Sequence, residues 1–451
     1  MAILGGLLAT FVLLLISVSR GVSLVWPLGG AIALFTIIHR CRGYTLATLS
    51  QFCWQGAKQS WPVFSILLLI GALMSSWLAA GTVPALVYYG TQLIHPQYFI
   101  LSAFILTALV STLLGTSFGA VGTVGLALMI MARGSSTPSA LNLTAGAIIA
   151  GAYVGDRCSP LSSSAHLIAT VTHTPIYQNL KQMLFTSLVP LLLSGLFYGV
   201  LSRYYPLNIS QPSPISQQLT EVFHLTGFVL LPALLVVVLA SFRINVKLTI
   251  GLSWLLASSL AILEQSYSVA DVLNFTLWGF EIGEHPALSA ILGGGGLWAM
   301  LQVCIVVLLS TTLSGLLTGT QSLKPVSQWL QKARQYRALF IGTSLISLVA
   351  GAFGCTQTIT ILLTHQLVTS EYRQRRFSQN QLALDLENTA VVLAPLIPWN
   401  IAGLVPATLL MVGPGFIPFA VYLYVIPLYN WLWPNSFGIS PAASTPTSSY
   451  H

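Results

Sequence analysis

Hydrophobic residues fill this chain in long, nearly uncharged runs that alternate with short polar connections. Ten runs approach or reach the roughly 20 residues that a helix needs to cross a bilayer. They lie near residues 2–19, 21–38, 61–80, 97–113, 183–202, 222–240, 248–263, 297–318, 338–353 and 416–433. Shorter apolar pieces lie at 114–131, 141–155, 165–173, 358–370, 382–394 and 401–412. The pattern predicts an all-α polytopic membrane protein with about 10–13 transmembrane segments and additional re-entrant pieces.

The composition supports this class. Of the 451 residues, 55% are hydrophobic and only 6% are charged, whereas about 25% are charged in an average soluble protein. The five cysteines are scattered and form neither a disulfide framework nor a metal-site pattern, so we expect no cofactor. No basic segment precedes residues 2–19, which therefore read as a retained first helix.

Charge predicts the orientation in the membrane. The net charge of +8 does not indicate nucleic-acid binding, because the basic residues lie in short connections such as Arg40 to Arg42 and Lys324 to Arg337. Short loops rich in Lys and Arg face the cytoplasm. Residues 264–296 carry four acidic residues and no Lys or Arg, which predicts an external loop. We therefore expect a multi-pass protein of the cytoplasmic (inner) membrane with a cytoplasmic N-terminus.

Polar and small residues divide the chain into two halves. A proline-containing linker at 204–221 separates residues 1–203 from residues 222–433, and a polar tail follows at 434–451. In each half a glycine-rich segment, GTSFGAVGTVG or GAFGCTQT, precedes a proline-interrupted segment at nearly equal separation. Inverted-repeat transporters are built from such broken helices. We predict two inverted repeats with re-entrant hairpins and with broken helices at 156–164 and 393–400.

The first break, GAYVGDRCSPLSSSAH at 151–166, contains the strongest candidate residue, Asp156. A carboxylate at the centre of a membrane helix costs roughly 2.5–3.5 kcal/mol on insertion scales, so it indicates function by default. Pro160 interrupts helical bonding beside it and frees backbone groups. The structural alternative is a salt bridge, although adjacent helical residues such as Asp156 and Arg157 do not face each other.

Hydroxyl oxygens near this break could bind a dehydrated sodium ion, because hard cations choose oxygen ligands. The candidates are Thr116, Ser117, Ser159, Ser162, Ser163 and Ser164. Of the break's residues, we expect Asp156 and Ser163 to bind the transported Na+ directly. The alternative is that these serines make hydrogen bonds between or within helices. His166 could carry a proton near neutral pH, or it could be an interhelical donor.

The second break supplies further polar candidates. Glu387 and Asn388 lie in ALDLENTAVVLAPLIPWN, and Asn400 ends that segment. Asp385 suits a helix start, where an acid complements the helix dipole. Glu387 could instead face the second break.

One motif suggests catalysis. Residues 115–119 read GTSFG and match G-x-S-x-G, which in hydrolases requires a strand, a turn and a helix around the serine. Here the motif lies in a glycine-rich membrane segment. Intramembrane serine hydrolysis by Ser117 is therefore a remote alternative, and we predict that the chain is not an enzyme.

Taken together, these stretches resemble the NhaC-type Na+/H+ antiporter family of the ion transporter superfamily. WPVFSILLLIGALMSSWLAAGTVPALVYYG, GTSFGAVGTVGLALM, AGAIIAGAYVGDRCSPLSS and LENTAVVLAPLIPWNIAG follow the family pattern in order. The resemblance implies a secondary transporter that exchanges Na+ for H+ through broken helices inside a scaffold of tilted helices. Na+, H+ and the lipid bilayer are the expected partners, nucleic acid is not, and a homodimer is one expected assembly.

Two departures from the family pattern concern charge. Where the family typically reads SPLSDTTN, this chain has Ser163 in place of an acid, and where it reads LEDSG, this chain has Asn388. The resemblance then leaves Asp156 and Glu387 to bind Na+ and H+ in turn. Some members of the family resemble carriers of organic acids or amino acids. The alternative function is therefore Na+- or H+-coupled transport of an amino acid or small carboxylate, with Arg157 and Thr356 binding the substrate.

Overall fold

The computed structural model describes residues 2–93, 95–133, 138–206, 220–242, 244, 246–282, 293–326, 330 and 335–434. Among these residues, the only β-type pairing is one isolated antiparallel bridge between Phe280 and Gly294. The prediction of an all-α protein is confirmed. Most of the predicted linker, at 207–219, and nearly all of the predicted tail, at 435–451, lie outside the described residues.

Ten helices precede the linker in the described part of the chain. They are α1 Ala2–Ser19, α2 Val25–Cys41, α3 Leu46–Lys58, α4 Trp61–Ala79, α5 Thr82–Leu93, α6 Phe99–Leu114, α7 Ser117–Arg133, α8 Pro138–Cys158, α9 Ser163–Thr172 and α10 Ile176–Tyr204.

The main helices after the linker, again among the described residues, continue the numbering. They are α11 Leu231–Ser241, α12 Val246–Leu263, α13 Val269–Trp278, α14 Leu297–Gly319, α15 Tyr336–Gly354, α16 Gln357–Gln374, α17 Gln379–Leu396, α18 Ile401–Leu409 and α19 Val421–Leu432.

The described residues include six spans that are long and apolar enough to cross a bilayer. They are Ala2–Ser19, Leu46–Ala79, Pro96–Leu114, Ile176–Tyr204, Leu297–Gly319 and Tyr336–Gly354. Helices α17 and α18 pass the same test together, but they bend by 51° at their junction. The chain is therefore a polytopic membrane protein. The larger number of about 10–13 crossings also counts shorter apolar helices and stays a prediction.

Two polar regions contain helices that hydropathy did not indicate. Helix α3 is short and carries Gln51, Gln55 and Lys58, so no apolar window marks it. The predicted external loop at 264–296 contains the ten-residue helix α13. Ser268 and Asp271 form a capping box at its start, in which each side chain accepts a bond from the other residue's backbone N–H. Residues 283–292 of this loop lie outside the described part.

Close helix crossings at glycines determine where the broken helices lie. A Cβ added at Gly155 of α8 would lie 2.0 Å from the carbonyl carbon of Ser111 in α6. A Cβ added at Gly151 would lie 2.5 Å from the carbonyl oxygen of Phe104. Glycines four residues apart thus let α6 and α8 approach backbone to backbone. This contact brings the C-terminal ends of α6 and α8, and therefore both adjacent breaks, together.

A second tight crossing belongs to a separate part of the core. Gly56 of α3 and Gly315 of α14 face each other, with an added Cβ at Gly56 only 2.8 Å from the Gly315 Cα. One hydrophobic cluster joins α1, α2 and α3 to α14 and α15, and a larger one surrounds α4, α6, α7 and α8. The broken helices therefore lie inside the molecule, where freed backbone groups can find protein partners.

Candidate ion-binding site

Two helix breaks in the first half of the chain, at residues 115–117 and 159–162, touch each other. Together these residues form the first crossing. Gly115 ends α6 with a left-handed conformation (φ 68°), and Thr116 is extended before α7 begins. A Cβ at Gly115 would lie 2.5 Å from the Cβ of Leu161. Only glycine combines this backbone angle with so close an approach.

In the second half of the chain, two helix breaks also touch each other. They comprise residues 355–357 and 397–401, which together form the second crossing. Cys355 ends α15 with φ 58°, Thr356 is extended, and α16 begins at Gln357. The Cys355 carbonyl accepts a hydrogen bond of 2.8 Å from the backbone N–H of Ile401. Both halves therefore bring a left-handed helix end against an unwound segment.

The unwound segments are shorter than the sequence predicts. Helix α8 continues through Asp156 to Cys158, so the break covers 159–162 rather than 156–164. Helix α17 passes through Pro395 in a 3-10 turn at Ala394–Leu396, and the chain unwinds only over 397–400. A proline is tolerated in the first turn of a 3-10 segment because its missing N–H has no intrahelical acceptor there.

Asp156 lies where the two crossings meet. Its carboxyl group is buried, and Oδ1 accepts a bond of 3.4 Å from the backbone N–H of Ser117 at the start of α7. Oδ2 accepts a bond of 2.8 Å from Nε2 of Gln357 at the start of α16. Asp156 therefore takes a neutral donor from each half of the chain, and among the described residues it has no ion-pair partner.

Gln357 was not predicted as a site residue. Its amide nitrogen donates to Asp156 and also lies 3.5 Å from the carbonyl oxygen of Val391. Val391 ends a π-helical segment at Glu387–Val391, a distortion that is frequent at functional sites. The Gln357 amide thus lies between two oxygen acceptors, where a small cation would find the same partners.

The serines of the first break mainly satisfy backbone groups. Ser159 donates to the carbonyl of Thr112 at 2.7 Å. Ser162 and Ser164 both donate to the backbone carbonyl of Asp156, the latter at 2.8 Å. The Thr112 carbonyl near the end of α6 and the Asp156 carbonyl near the end of α8 therefore have hydroxyl partners. Ser163 is exposed in the first turn of α9.

Arg157 points into a different polar pocket. Its Nη1 donates to the Met183 carbonyl at 3.1 Å and to the Ser187 hydroxyl of α10. Its Nη2 donates to Thr186 Oγ1 at 2.7 Å and to Oδ1 of Asn388. The fully buried guanidinium group is thus held by neutral oxygens.

Glu387 is fully buried, and neither of its carboxyl oxygens has a hydrogen-bond partner among the residues that the structure describes. Its chain neighbour Asn388 accepts a hydrogen bond from Arg157, which is itself the chain neighbour of Asp156. A buried carboxyl group without donors is costly when ionised, because burial removes the hydration that stabilises its charge. Glu387 therefore belongs to the same charged region as Asp156.

The remaining candidate side chains of the second half form hydrogen bonds with nearby backbone groups. Asn400 caps α18 by accepting from the N–H of Ala402 at 3.0 Å, and its Nδ2 donates to the Gly351 carbonyl at 2.8 Å. Thr356 caps α16 by accepting from the N–H of Ile359. Tyr153 of α8 donates to the Ala402 carbonyl at 2.8 Å and so links the two halves.

A cavity of about 530 Å³ reaches the first crossing. Apolar side chains of α4, α7, α11 and α12 form most of its wall, together with Thr116 and Leu161 at the crossing. His166 also lines it; the ring is exposed, and Nε2 lies 3.0 Å from the Pro160 carbonyl. Lys247 and Thr249 also line it, and within the described part of the chain the buried Thr249 hydroxyl has no hydrogen-bond partner.

The prediction that Asp385 complements a helix start is wrong. Helix α17 begins at Gln379, and Asp385 lies buried well inside it. Its carboxyl group accepts from the hydroxyls of Tyr336 (2.7 Å) and Tyr372 (2.6 Å) and from Gln381 (2.8 Å). The sequence contains no marker for this contact, because the two tyrosines come from α15 and α16.

Among the described residues, no three His, Cys, Asp or Glu side chains lie close enough together to hold a metal ion. A transported cation at Asp156 would therefore need neutral oxygens among its other ligands. The polar start of α16, within GAFGCTQT, was the available signal for Gln357. Thr186 and Ser187 lie in an apolar run that carries no comparable signal.

Comparison with known proteins identifies relatives along nearly the whole chain. The family model of the Na+/H+ antiporter family matches residues 1–165 and 151–431. A Haemophilus influenzae protein named an uncharacterized Na+/H+ antiporter is 31% identical over 80% of this chain and 79% of its own length. The Bacillus subtilis malate-2H+/Na+-lactate antiporter is 28% identical over 84% and 81%, and the Bacillus subtilis Na+/H+ antiporter NhaC is 27% identical over 86% and 87%.

Proposed function

The chain belongs to the Na+/H+ antiporter family, and we propose that it exchanges Na+ for H+ across the cytoplasmic membrane, with Asp156 as the shared binding group. One observation carries the proposal: the buried Asp156 carboxyl group has only neutral donors, one from each half of the chain. An acid in this position can bind either a proton or a cation. Competition for one carboxylate couples the two ions.

Gln357 gives a route for Na+ binding. Its amide nitrogen donates to Asp156. A cation between the two side chains requires the amide to rotate and present Oε1, since oxygen is the ligand that hard cations choose. The carbonyl of Val391, which the same amide nitrogen approaches, is a further oxygen at this position. Thr116, Ser117 and Glu387 complete the proposed site.

We also propose that residues 1–203 and 222–433 are inverted repeats joined by the linker, with the N-terminus in the cytoplasm. The likeness of the two crossings supports this division. In both, a left-handed residue is followed by an extended threonine and a new helix, at Gly115–Thr116 and at Cys355–Thr356. The acidic segment 264–296 then faces outward, and Na+ leaves the cell against entering protons.

Proton flux in everted membrane vesicles tests the proposal. Vesicles that contain the full-length protein and a fluorescent pH indicator should show Na+-dependent proton movement. Asp156→Asn removes the shared charge at almost constant volume, so Na+-dependent flux should be lost. Asp271→Asn is the matched control, because this carboxylate caps an exposed helix start. Unchanged Na+-dependent flux in folded Asp156→Asn protein would contradict the assignment.

A second candidate function is exchange of a small carboxylate or amino acid, coupled to Na+ or H+. The cavity favours it, since about 530 Å³ accommodates an organic solute and Lys247 contributes a positive charge to the wall. Arg157, the clamp expected from the sequence, is already held by several neutral oxygens. Uptake of a labelled panel of organic and amino acids decides between the functions, because Na+/H+ exchange alone accumulates no solute.

We expect no serine hydrolase activity. The Ser117 backbone N–H is part of the Asp156 site, and the relatives that match most of the chain have antiporter names. An activity-based serine probe tests this expectation. Specific labelling that disappears in Ser117→Ala would restore the hydrolase hypothesis.

A further inference from the structure

We propose that the cavity beside the first crossing binds an organic monocarboxylate with an apolar body. The carboxylate lies at the first turn of α12, and the body extends toward Thr116 and Leu161. The proposal rests on solute exchange, the second candidate function, and names its substrate class. Three features of the cavity point to this ligand: its size, its apolar wall and the polar groups at the start of α12.

The cavity is larger than a sodium ion requires. Its volume is about 530 Å³, and pockets that bind small organic molecules have volumes of about 300–1,000 Å³. A water molecule takes up only about 30 Å³ of the liquid. Passage of an ion with a few waters therefore does not account for this space, whereas a solute with several carbon atoms fits it.

Most of the wall is apolar. Side chains of α4, α7 and α11 contribute to it, including Ile66, Ile70 and Leu73 of α4, Phe118 of α7 and Val236 of α11. Removal of apolar ligand surface from water favours binding to such a wall. The body of the ligand should therefore be a branched aliphatic or aromatic group.

The polar part of the wall includes the start of α12. This helix begins at Val246, and a helix N-terminus favours negative charge because its first backbone N–H groups lack intrahelical acceptors. Lys247 adds a positive charge in the same turn. Thr249 also lines the cavity and is only 3% exposed, yet among the described residues its hydroxyl has no partner. A carboxylate would accept a hydrogen bond from this hydroxyl and attract the ammonium group.

The other polar groups narrow the ligand class further. No Asp or Glu is among the described residues that line the cavity, so an ammonium or guanidinium group would find no acidic partner in its wall. The Thr123 hydroxyl already donates to the Gly119 carbonyl at 2.7 Å, and Nε2 of His166 lies against the Pro160 carbonyl. A second carboxylate would lie among apolar side chains, where an unpaired charge is costly. A monocarboxylate without an amino group therefore suits the cavity best.

Thermal unfolding of the full-length protein in phosphatidylcholine nanodiscs tests the site, since a ligand that binds only the folded state raises the midpoint. Phenylacetate should raise the midpoint in a saturable way. Acetate lacks the apolar body, phenylacetamide lacks the charge, phenylalanine adds an ammonium group, and malate has a second carboxylate. Each of these should need at least about tenfold more ligand for the same shift. Equal stabilisation by any of the four, or no stabilisation by phenylacetate, would overturn the proposal.

Two variants test the position of the carboxylate. Thr249→Val removes a hydroxyl without a described partner, so the protein should remain folded while the half-saturating phenylacetate concentration rises by about tenfold. Thr82→Val is its matched control, because the Thr82 hydroxyl is also buried without a described partner but does not line the cavity. Lys247→Met should also weaken binding, whereas Lys181→Met, which removes an exposed charge on α10, should not. Unchanged binding in either folded α12 variant, or equal weakening in its control, would overturn this position.

Uptake of labelled phenylacetate into proteoliposomes separates the site from the proposed functions. Uptake above that of empty liposomes should depend on a Na+ or proton gradient. Saturable binding without such uptake would refute the substrate role and solute exchange. Absence of binding in a protein that shows Na+-dependent proton flux would refute the site and leave Na+/H+ exchange established.

Discussion

The two crossings share a backbone plan but differ in how their polar groups are satisfied. At the second crossing, backbone carbonyls already have strong donors: Cys355 from Ile401, Gly351 from Asn400, and Ala352 from the Trp399 indole at 2.7 Å. Beside the first crossing, the buried Asp156 carboxyl group receives a long bond from Ser117 and a bond from Gln357 of the other half.

This difference indicates that one helix break has a structural role and that the other contributes to ligand binding. Buried polar groups that are fully hydrogen-bonded stabilise one arrangement and have no need of a ligand. The second crossing therefore supports the site, and through Gln357 it supplies one group to it. The first crossing contacts the Asp156 carboxyl group through the Ser117 N–H and adjoins the cavity at Thr116 and Leu161. A ligand is expected at the first crossing rather than at the second.

The largest expected effect is on folding at the first crossing. Gly115→Ala places a Cβ 2.5 Å from the Leu161 Cβ at φ 68°. A left-handed L-residue costs about 1–2 kcal/mol, and overpacking adds about 1–3 kcal/mol. We expect little folded protein, measured as yield and thermal unfolding of the purified protein. Cys355→Gly at the second crossing is the control and should be tolerated; equal losses in both variants would contradict the comparison.

A smaller effect, on ion binding, is expected from Gln357→Leu. This change removes the strongest hydrogen bond to Asp156. The change also removes Oε1, the proposed Na+ ligand, so the half-saturating Na+ concentration should rise by about tenfold, which corresponds to about 1.4 kcal/mol of lost binding free energy. The matched control is Gln381→Leu, which removes the same type of bond from Asp385. An equal shift in both variants would show that the effect is not specific to Asp156.

Asn400→Ala should reduce stability without changing ion binding. It removes the cap of α18 and the bond to Gly351. Loss of a helix cap costs about 0.5–2 kcal/mol. The thermal midpoint should fall while the half-saturating Na+ concentration stays the same. A shift in Na+ dependence without a change in thermal midpoint would instead make Asn400 an ion ligand, as the sequence suggests.

The smallest expected difference is between two neighbouring serines. Ser164 donates to the Asp156 carbonyl, and Ser163 is exposed. Ser164→Ala should lower stability by about 1 kcal/mol, the typical net value of a hydrogen bond, and Ser163→Ala should have no effect. Chemical unfolding and Na+-dependent flux measure both. Weakened Na+ dependence in Ser163→Ala alone would support the prediction that Ser163 binds the ion.

Much of the fold follows from patterns along the chain. Long apolar runs predicted the membrane helices, and glycine and proline indicated the two places where helices break. The limits of the breaks were not predictable from composition, because Pro395 lies within a 3-10 turn and the unwound residues follow it. Helix α3 was missed because Gln51, Gln55 and Lys58 interrupt its apolar residues and because its packing against Gly315 is a long-range contact.

For the site, sequence identified the acids but not their partners. Asp156 and Glu387 stood out because carboxylates are costly in membrane helices. Nothing local indicated that Asp385 would be enclosed by Tyr336 and Tyr372.

The sequence by itself determined the all-α membrane class, the breaks and the identity of the buried charges, since these depend on hydropathy and on local backbone chemistry. Only the tertiary structure decided which neutral groups meet those charges. Gln357 reaches Asp156 across 201 positions of the chain, and Arg157 reaches Asn388 across 231. Contacts of this kind arise from helix packing at glycines, which no local pattern encodes.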